Sequence, residues 1–282
     1  ESLEYENERH VPATKPRLDA QSNLLSKMAS GFVLPELNNS DVKQFEKWSA
    51  SHPTYLNNLF KRAQPFLFYI VEEISRRGLP MELALLPAVE SAYRTDAVSK
   101  SKAVGLWQFV SATGAEYGLE QTWWYDGRRD VVASTNAALT YLERLYKRFD
   151  NDWFLALAAY NVGQGNLARS IRSNEARRRP THFTALDLRN ETRRYVPKLI
   201  ALRNILRDPD KYGITLPTLS VKPAFTAIAL TQNQFDLKAF ATQAGYDFET
   251  FMTLNAGYLR WTSPPPGPKR TFQILIPSVD PA

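Results

Sequence analysis

A chain of 282 residues, 44% apolar and 12% aromatic, carries enough nonpolar mass for one large domain, or a large and a small one. It has no cysteine, which excludes disulfides and thiolate metal sites. The net charge of +6 suits a polyanionic partner without choosing among nucleic acid, a membrane surface and an acidic glycopeptide.

Residues 1–20 are polar, contain Pro12 and Pro16, and read as an extended arm. From about Gln21 to Ile205 the periodicity is helical. Asp41–Ala50, with Ser40 or Asp41 as its cap, carries Val42, Phe45 and Trp48 on one stripe. Asn57–Arg77 follows and stops at Gly78, and Pro80 starts the next helix. Val131–Phe149, Trp153–Tyr160 and Arg193–Arg207 are further helices. No useful strand pattern precedes about residue 220.

After Pro217 the composition changes. Ala224–Leu230 and Phe272–Pro277 read as strands around two short helices, Asp236–Ala244 and Phe248–Leu254, with a Pro-rich stretch at Ser263–Pro268. The predicted organisation is a mainly α body with a small α+β unit of order βααβ. No run of about 18 apolar residues is present, so no transmembrane span is read in this stretch. A chain beginning at Glu1 reads as a processed or trimmed product, which leaves room for a signal peptide or lipid anchor upstream. His10, His52 and His182 have no metal-ligand spacing, so neither a metal nor a cofactor is expected.

Leu79–Tyr93 (LPMELALLPAVESAY) is apolar nearly all round and is expected to be a buried helix. Glu90 stands near its end, on the face of Leu83, Leu86 and Pro87. Apolar surroundings disfavour the anion and poise a glutamate as a general acid; the alternative is a terminal glutamate that simply reaches water. Three other stretches set polar groups beside aromatics: GLWQF (105–109), AAYNVGQG (158–165) and ETRRYVP (191–197). Rings stack on pyranose faces and amides pair with hydroxyls, a pattern suited to sugars. Gly163 and Gly165 match no phosphate-binding loop and are expected to end the helix of Tyr160.

The order ESAY, GLWQF, AAYN and YVP resembles the lytic transglycosylases of family-one type, which share a goose-lysozyme-like α domain. The likeness covers roughly residues 25–277, and the end of the chain resembles a degenerate LysM-like module, with Asn255 in FMTLNAGY its best correspondence. The resemblance implies an arm over 1–24, a lysozyme-like domain over 25–215 and a LysM-like domain over 220–282. It implies Glu90 as catalytic acid and base, with Ser91 beside the bound sugar. It further implies that Gly105 and Gln108 line the cleft, that Tyr160 and Asn161 hold the glycan, and that Tyr195 aims its hydroxyl at Glu90. Peptidoglycan glycan strands are the implied substrate, cut between N-acetylmuramic acid and N-acetylglucosamine to a 1,6-anhydro product. A periplasmic monomer anchored at the outer membrane by an upstream lipid is the implied setting. Two alternatives stay open: a goose-type hydrolytic muramidase, and a non-catalytic wall-binding protein. The arginines 169, 172 and 177–179 form the best basic patch, read as a solvated face rather than a nucleic-acid site.

Overall fold

In a computed structural model the described residues are 23–230, 234–265 and 272–278. The expected N-terminal arm over residues 1–20, His10 and the second half of the Pro-rich stretch lie outside them.

The chain opens with α1 (Leu24–Ser30), α2 (Ser40–Ala50) and the long α3 (Pro53–Arg77). Asn39, not Ser40 or Asp41, caps α2, its side chain accepting from the Val42 amide at 2.9 Å. Helix α3 begins with Pro53, whose missing N–H costs nothing in a first turn, and ends at Gly78 with φ of 66°.

The apolar stretch after Gly78 is not one helix. Met81–Leu85 forms a 3-10 turn, and a new short helix, α4, runs over Leu86–Ser91. Pro87 is the reason: it has no N–H to donate to the carbonyl of Leu83, so the i to i−4 ladder cannot pass through it and restarts there. Every residue from Met81 to Ala88 is buried, including Glu82, whose Oε1 accepts from the Leu34 amide at 2.8 Å. The chain then turns back through two non-glycine residues with positive φ, Ala92 at 52° and Tyr93 at 57°. Arg62 on α3 donates to the Ala92 carbonyl at 3.1 Å, and the Tyr93 hydroxyl donates to the Ala84 carbonyl at 2.7 Å.

Next come α5 (Ser111–Glu116), α6 (Val131–Arg148), α7 (Trp153–Val162), α8 (Gln164–Ala176) and α9 (Asn190–Arg207). Asp130 caps α6 by accepting from the Ala133 amide, and Asp152 caps α7 from Phe154 and Leu155. Helix α7 buries all of Phe154–Ala159 and runs through the core against α6, α8 and α9. Gly163, with φ of 90°, ends it, whereas Gly165 lies inside α8, where the expectation had placed it at a helix end. Trp107, fully buried, donates its indole N–H to Thr135 on α6 at 3.0 Å.

Beyond Pro217 the unit is β1 (Phe225–Leu230), α10 (Leu237–Gln243), α11 (Phe248–Leu254) and β2 (Phe272–Pro277), with β1 and β2 antiparallel and Ile228 opposite Ile274. Its small core holds Leu237, Ala241, Phe251, Tyr258 and Ile274. Asn255 is buried and stitches the unit together, donating to the carbonyls of Phe251 and Leu275 and accepting from the Leu275 amide. The unit docks on the loop before α6 through two backbone bonds, Asp126 N–H to Gly257 and Leu259 N–H to Trp124, both 2.8 Å. Among the described residues no helix is long and apolar enough to cross a membrane.

Gly257 sits where that seam is tightest, because a Cβ there would stand 2.8 Å from the Tyr125 ring. Gly257→Ala is therefore expected to lower stability by about 1–3 kcal/mol through overpacking. Urea unfolding, with helix content by circular dichroism as the control for fold, checks it.

Candidate active site

Glu90 occupies the last turn of α4 and is partly buried. The Tyr195 hydroxyl, from the middle of α9, donates to Glu90 Oε1 at 2.5 Å. Burial pushes the Glu90 carboxyl up to about 7; the Tyr195 bond and the Lys198 cation pull it back, and Glu191 adds to the rise. Burial and the neighbouring Glu90 carboxyl hold both Tyr160 and Tyr195 firmly in their protonated forms. The same burial lowers Lys198, which Glu90 partly offsets. A proton on Glu90 is thus easily lost and easily regained near neutral pH.

Hydrogen bonds stitch the surroundings of Glu90 to the 105–109 turn and to α9. Ser91 is buried, and its hydroxyl lies 2.9 Å from the Leu106 carbonyl and 3.1 Å from that of Pro87, bracing the turn against α4. Tyr160 on α7 donates to the Trp107 carbonyl at 2.7 Å. Asn161 accepts from Thr192 on α9 at 2.8 Å. Gln108, in the left-handed region at φ of 53°, donates its amide to the Gly105 carbonyl at 2.8 Å and to Ala97 at 3.2 Å. Its Oε1 has no hydrogen-bond partner among the described residues.

Gly105 fixes how that turn is backed. At φ of 84° it packs so closely on the segment before α6 that a Cβ would fall 2.0 Å from the Arg128 carbonyl. Arg128 in turn pairs with Asp126 at 2.7 Å, the residue whose amide meets Gly257. A continuous set of contacts therefore runs from the C-terminal unit to the back of the 105–109 turn.

Of the residues expected to form the site, Glu90, Ser91, Tyr160, Tyr195 and the Gly105–Gln108 turn meet in one place, and Asn161 adjoins Tyr160. Two neighbours of Glu90 were not singled out from sequence: Glu191 and Lys198. Both lie within the ETRRYVPKL stretch at i−4 and i+3 from Tyr195, the spacing that puts helix residues on one face. Asp96, Glu116, Asp126 and Asp130 are all engaged elsewhere, with Arg94, Arg144, Arg128 and Tyr125. No group of three or more His, Asp or Glu side chains suited to a metal occurs among the described residues.

The described residues thus form a mainly helical body with a partly buried glutamate, poised near neutrality, in a stitched polar and aromatic cluster. Residues 69–183 match the transglycosylase SLT domain. The chain is 41% identical over 244 residues to membrane-bound lytic murein transglycosylase D of Escherichia coli (strain K12), covering 86% of this chain and 53% of that one. It is 37% identical over 189 residues to an Alteromonas sp. (strain M-1) protein named for tributyltin chloride resistance, covering 64% of this chain and 91% of that one. Among solved structures, the 70 kDa soluble lytic transglycosylase SLT70 of Escherichia coli aligns at 20% identity with a TM-score of 0.41, covering 65% of this chain and 32% of that one. The chain belongs to the lytic transglycosylase family with an SLT domain. It spans about half the length of the Escherichia coli relative it matches.

The raised Glu90 pKa has a consequence for stability. An unfolded glutamate titrates near 4.5 and the folded one near 7, so between these values the folded state binds the extra proton. Its contribution is complete below about 4.5 and is lost as pH rises through 7, a loss on the order of 3 kcal/mol at about 1.4 kcal/mol per pKa unit. Urea unfolding across this window is expected to show that decline in the native protein and not in Glu90→Gln. In Tyr195→Phe the decline extends to higher pH, because the bond that favours the carboxylate is gone.

Proposed function

We propose that this chain is a peptidoglycan lytic transglycosylase that cleaves the β-1,4 bond between N-acetylmuramic acid and N-acetylglucosamine without consuming water. The observation that carries the reading is a single carboxyl, Glu90, poised to about 7 beside a cluster of aromatic, amide and hydroxyl groups. Membership in the lytic transglycosylase family supports it.

Glu90, protonated, donates to the glycosidic oxygen, and the C1–O bond breaks to release the 4-hydroxyl of N-acetylglucosamine. The 2-acetamido oxygen of the muramyl ring bonds to C1, taking the place of the second carboxylate that most glycosidases supply. Glu90, now ionised, accepts the proton of the C6 hydroxyl of the same ring. That oxygen attacks C1, the acetamido oxygen leaves, and a 1,6-anhydro ring closes with Glu90 protonated again. One residue acts as acid and then as base, which requires a pKa near the working pH. Tyr195 holds the carboxyl in place and eases its ionisation. Tyr160 and Ser91 set the 105–109 turn, whose Gln108 side-chain oxygen meets no donor among the described residues and is placed to accept from a sugar hydroxyl.

A hydrolytic muramidase would need a second base to position water. Asp96, Glu116, Asp126 and Asp130 are committed to other partners, which leaves Glu191, the carboxyl beside Glu90, as the residue that reading would use. Product mass separates the two. The βααβ unit is assigned as a LysM-like module over 220–282 docked on a lysozyme-like domain over 25–215. The periplasm is the assigned setting, with outer-membrane anchoring in the full-length protein and a monomeric state.

Glu90→Gln keeps the shape and removes both proton transfers, so activity on purified sacculi is expected to fall by about three orders of magnitude or more while the fold is retained. Mass spectrometry of the native products is expected to show anhydromuropeptides, lighter by one water than hydrolytic products. Hydrated products alone, or a folded Glu90→Gln at near native rate, would contradict the reading.

A further inference from the structure

A cavity of about 390 Å³ lies between α2, the start of α3 and α9, and its walls include Phe45, Trp48, Tyr55, Arg194, Lys198 and Leu202. Trp48 is 43% exposed there although it belongs to the apolar stripe of α2. One face of its ring stacks on His52 at 4.4 Å, and Tyr55 meets it edge-on at 5.0 Å. A large ring braced in this way and left open is an unusual surface for a soluble helix to present.

The two cations of the cavity differ in kind. Arg194 lies 5.0 Å over the Phe45 ring, pairs with Asp41 at 3.4 Å and donates to Gln44 Oε1 at 2.7 Å, so its charge is met from within. Lys198 has no hydrogen-bond partner among the described residues, and burial makes its charge costly. The carboxyl that acts on it is Glu90, which is about half ionised at neutral pH. A partly desolvated ammonium in an aromatic cavity thus has no hydrogen-bonded anion among the described residues, and only the part-ionised Glu90 offsets its burial.

Position supplies the rest. Lys198 follows Tyr195 by three residues on α9, about 4.5 Å along the axis, so the cavity begins one helical turn from the group that holds the catalytic acid.

We propose that this cavity is a subsite for the carboxylate-bearing stem peptide attached to the muramyl ring being cut. Lys198 anchors a peptide carboxylate, and Phe45, Trp48 and Tyr55 receive the aliphatic parts. A further sugar fits less well, since a pyranose needs several donors and acceptors at once and the oxygen of the cavity's amide, Gln44, is already taken by Arg194, leaving it only donors. This assignment rests on the peptidoglycan reading given above.

The test is a binding titration of the stem tripeptide released from sacculi by an amidase, against the whole chain carrying Glu90→Gln so that no turnover intervenes. Saturable binding is expected, weakened about tenfold or more in the Glu90→Gln, Lys198→Gln double variant. The double variant with Lys198→Arg is expected to keep most of the affinity, and Trp48→Ala to weaken it several-fold, with circular dichroism confirming each fold. The tripeptide amidated at its carboxylates is expected to bind poorly. Three results would overturn the proposal: no saturable binding, equal affinity with and without Lys198, or an N-acetylglucosamine oligomer displacing the tripeptide. Because the titration reads no chemistry, its failure leaves the transglycosylase reading to be judged by product mass alone.

Discussion

A carboxyl withdrawn from water costs free energy when ionised, and everything about this site turns on how far that cost is offset at Glu90. Burial alone would drive the group strongly toward its neutral form. The Tyr195 hydroxyl and the Lys198 ammonium return part of the loss, leaving the balance near neutrality. A weaker offset would give an acid that never ionises, and a stronger one a base that never holds its proton. The proposed cycle needs both states.

The surrounding structure holds that balance in place. Pro87 breaks the buried apolar stretch and restarts it as a helix only six residues long, so Glu90 falls at its end, where partial access to the cleft is possible. The backbone then reverses through Ala92 and Tyr93 in a conformation that L side chains rarely adopt. Such strain persists only where neighbours enforce it, and here Arg62 and the Tyr93 hydroxyl do so. Opposite, the 105–109 turn is clamped in front by Ser91 and Tyr160 and behind by the close approach of Gly105 to Arg128. The C-terminal unit presses on the segment behind that clamp through Gly257 and Leu259. Its docking therefore bears on that turn, although among the described residues it contributes no group beside Glu90.

Much of this was legible from sequence because local chemistry decides it. The βααβ order after Pro217 follows from alternating strands and paired short helices, and the stop at Gly78 from the left-handed turn a glycine favours. What stayed hidden depended on partners distant in the chain or on competition between local rules. The reading of Leu79–Tyr93 weighed its continuous apolarity above the missing N–H of Pro87, and so expected one helix. Asn39 outcompeted Ser40 and Asp41 as a cap because its side chain reaches the Val42 amide, a choice among three good candidates. Trp48 was assigned to an inward stripe and instead stands half open at a cavity. Lys198 and Glu191 sat within a quoted stretch, yet their bearing on Glu90 appears only once α9 is laid against α4. The seam at Gly257 left no local mark, since the ring it must accommodate belongs to Tyr125, far upstream.

The most direct test is the ionisation of Glu90 itself, followed by carbon NMR of protein labelled at the glutamate side-chain carboxyls, with Glu90→Gln used to assign the resonance. The account predicts a midpoint near 7. A midpoint near 4.5, the value of a glutamate in open water, would mean that burial does not poise this group, and the single-carboxyl mechanism would lose its physical basis.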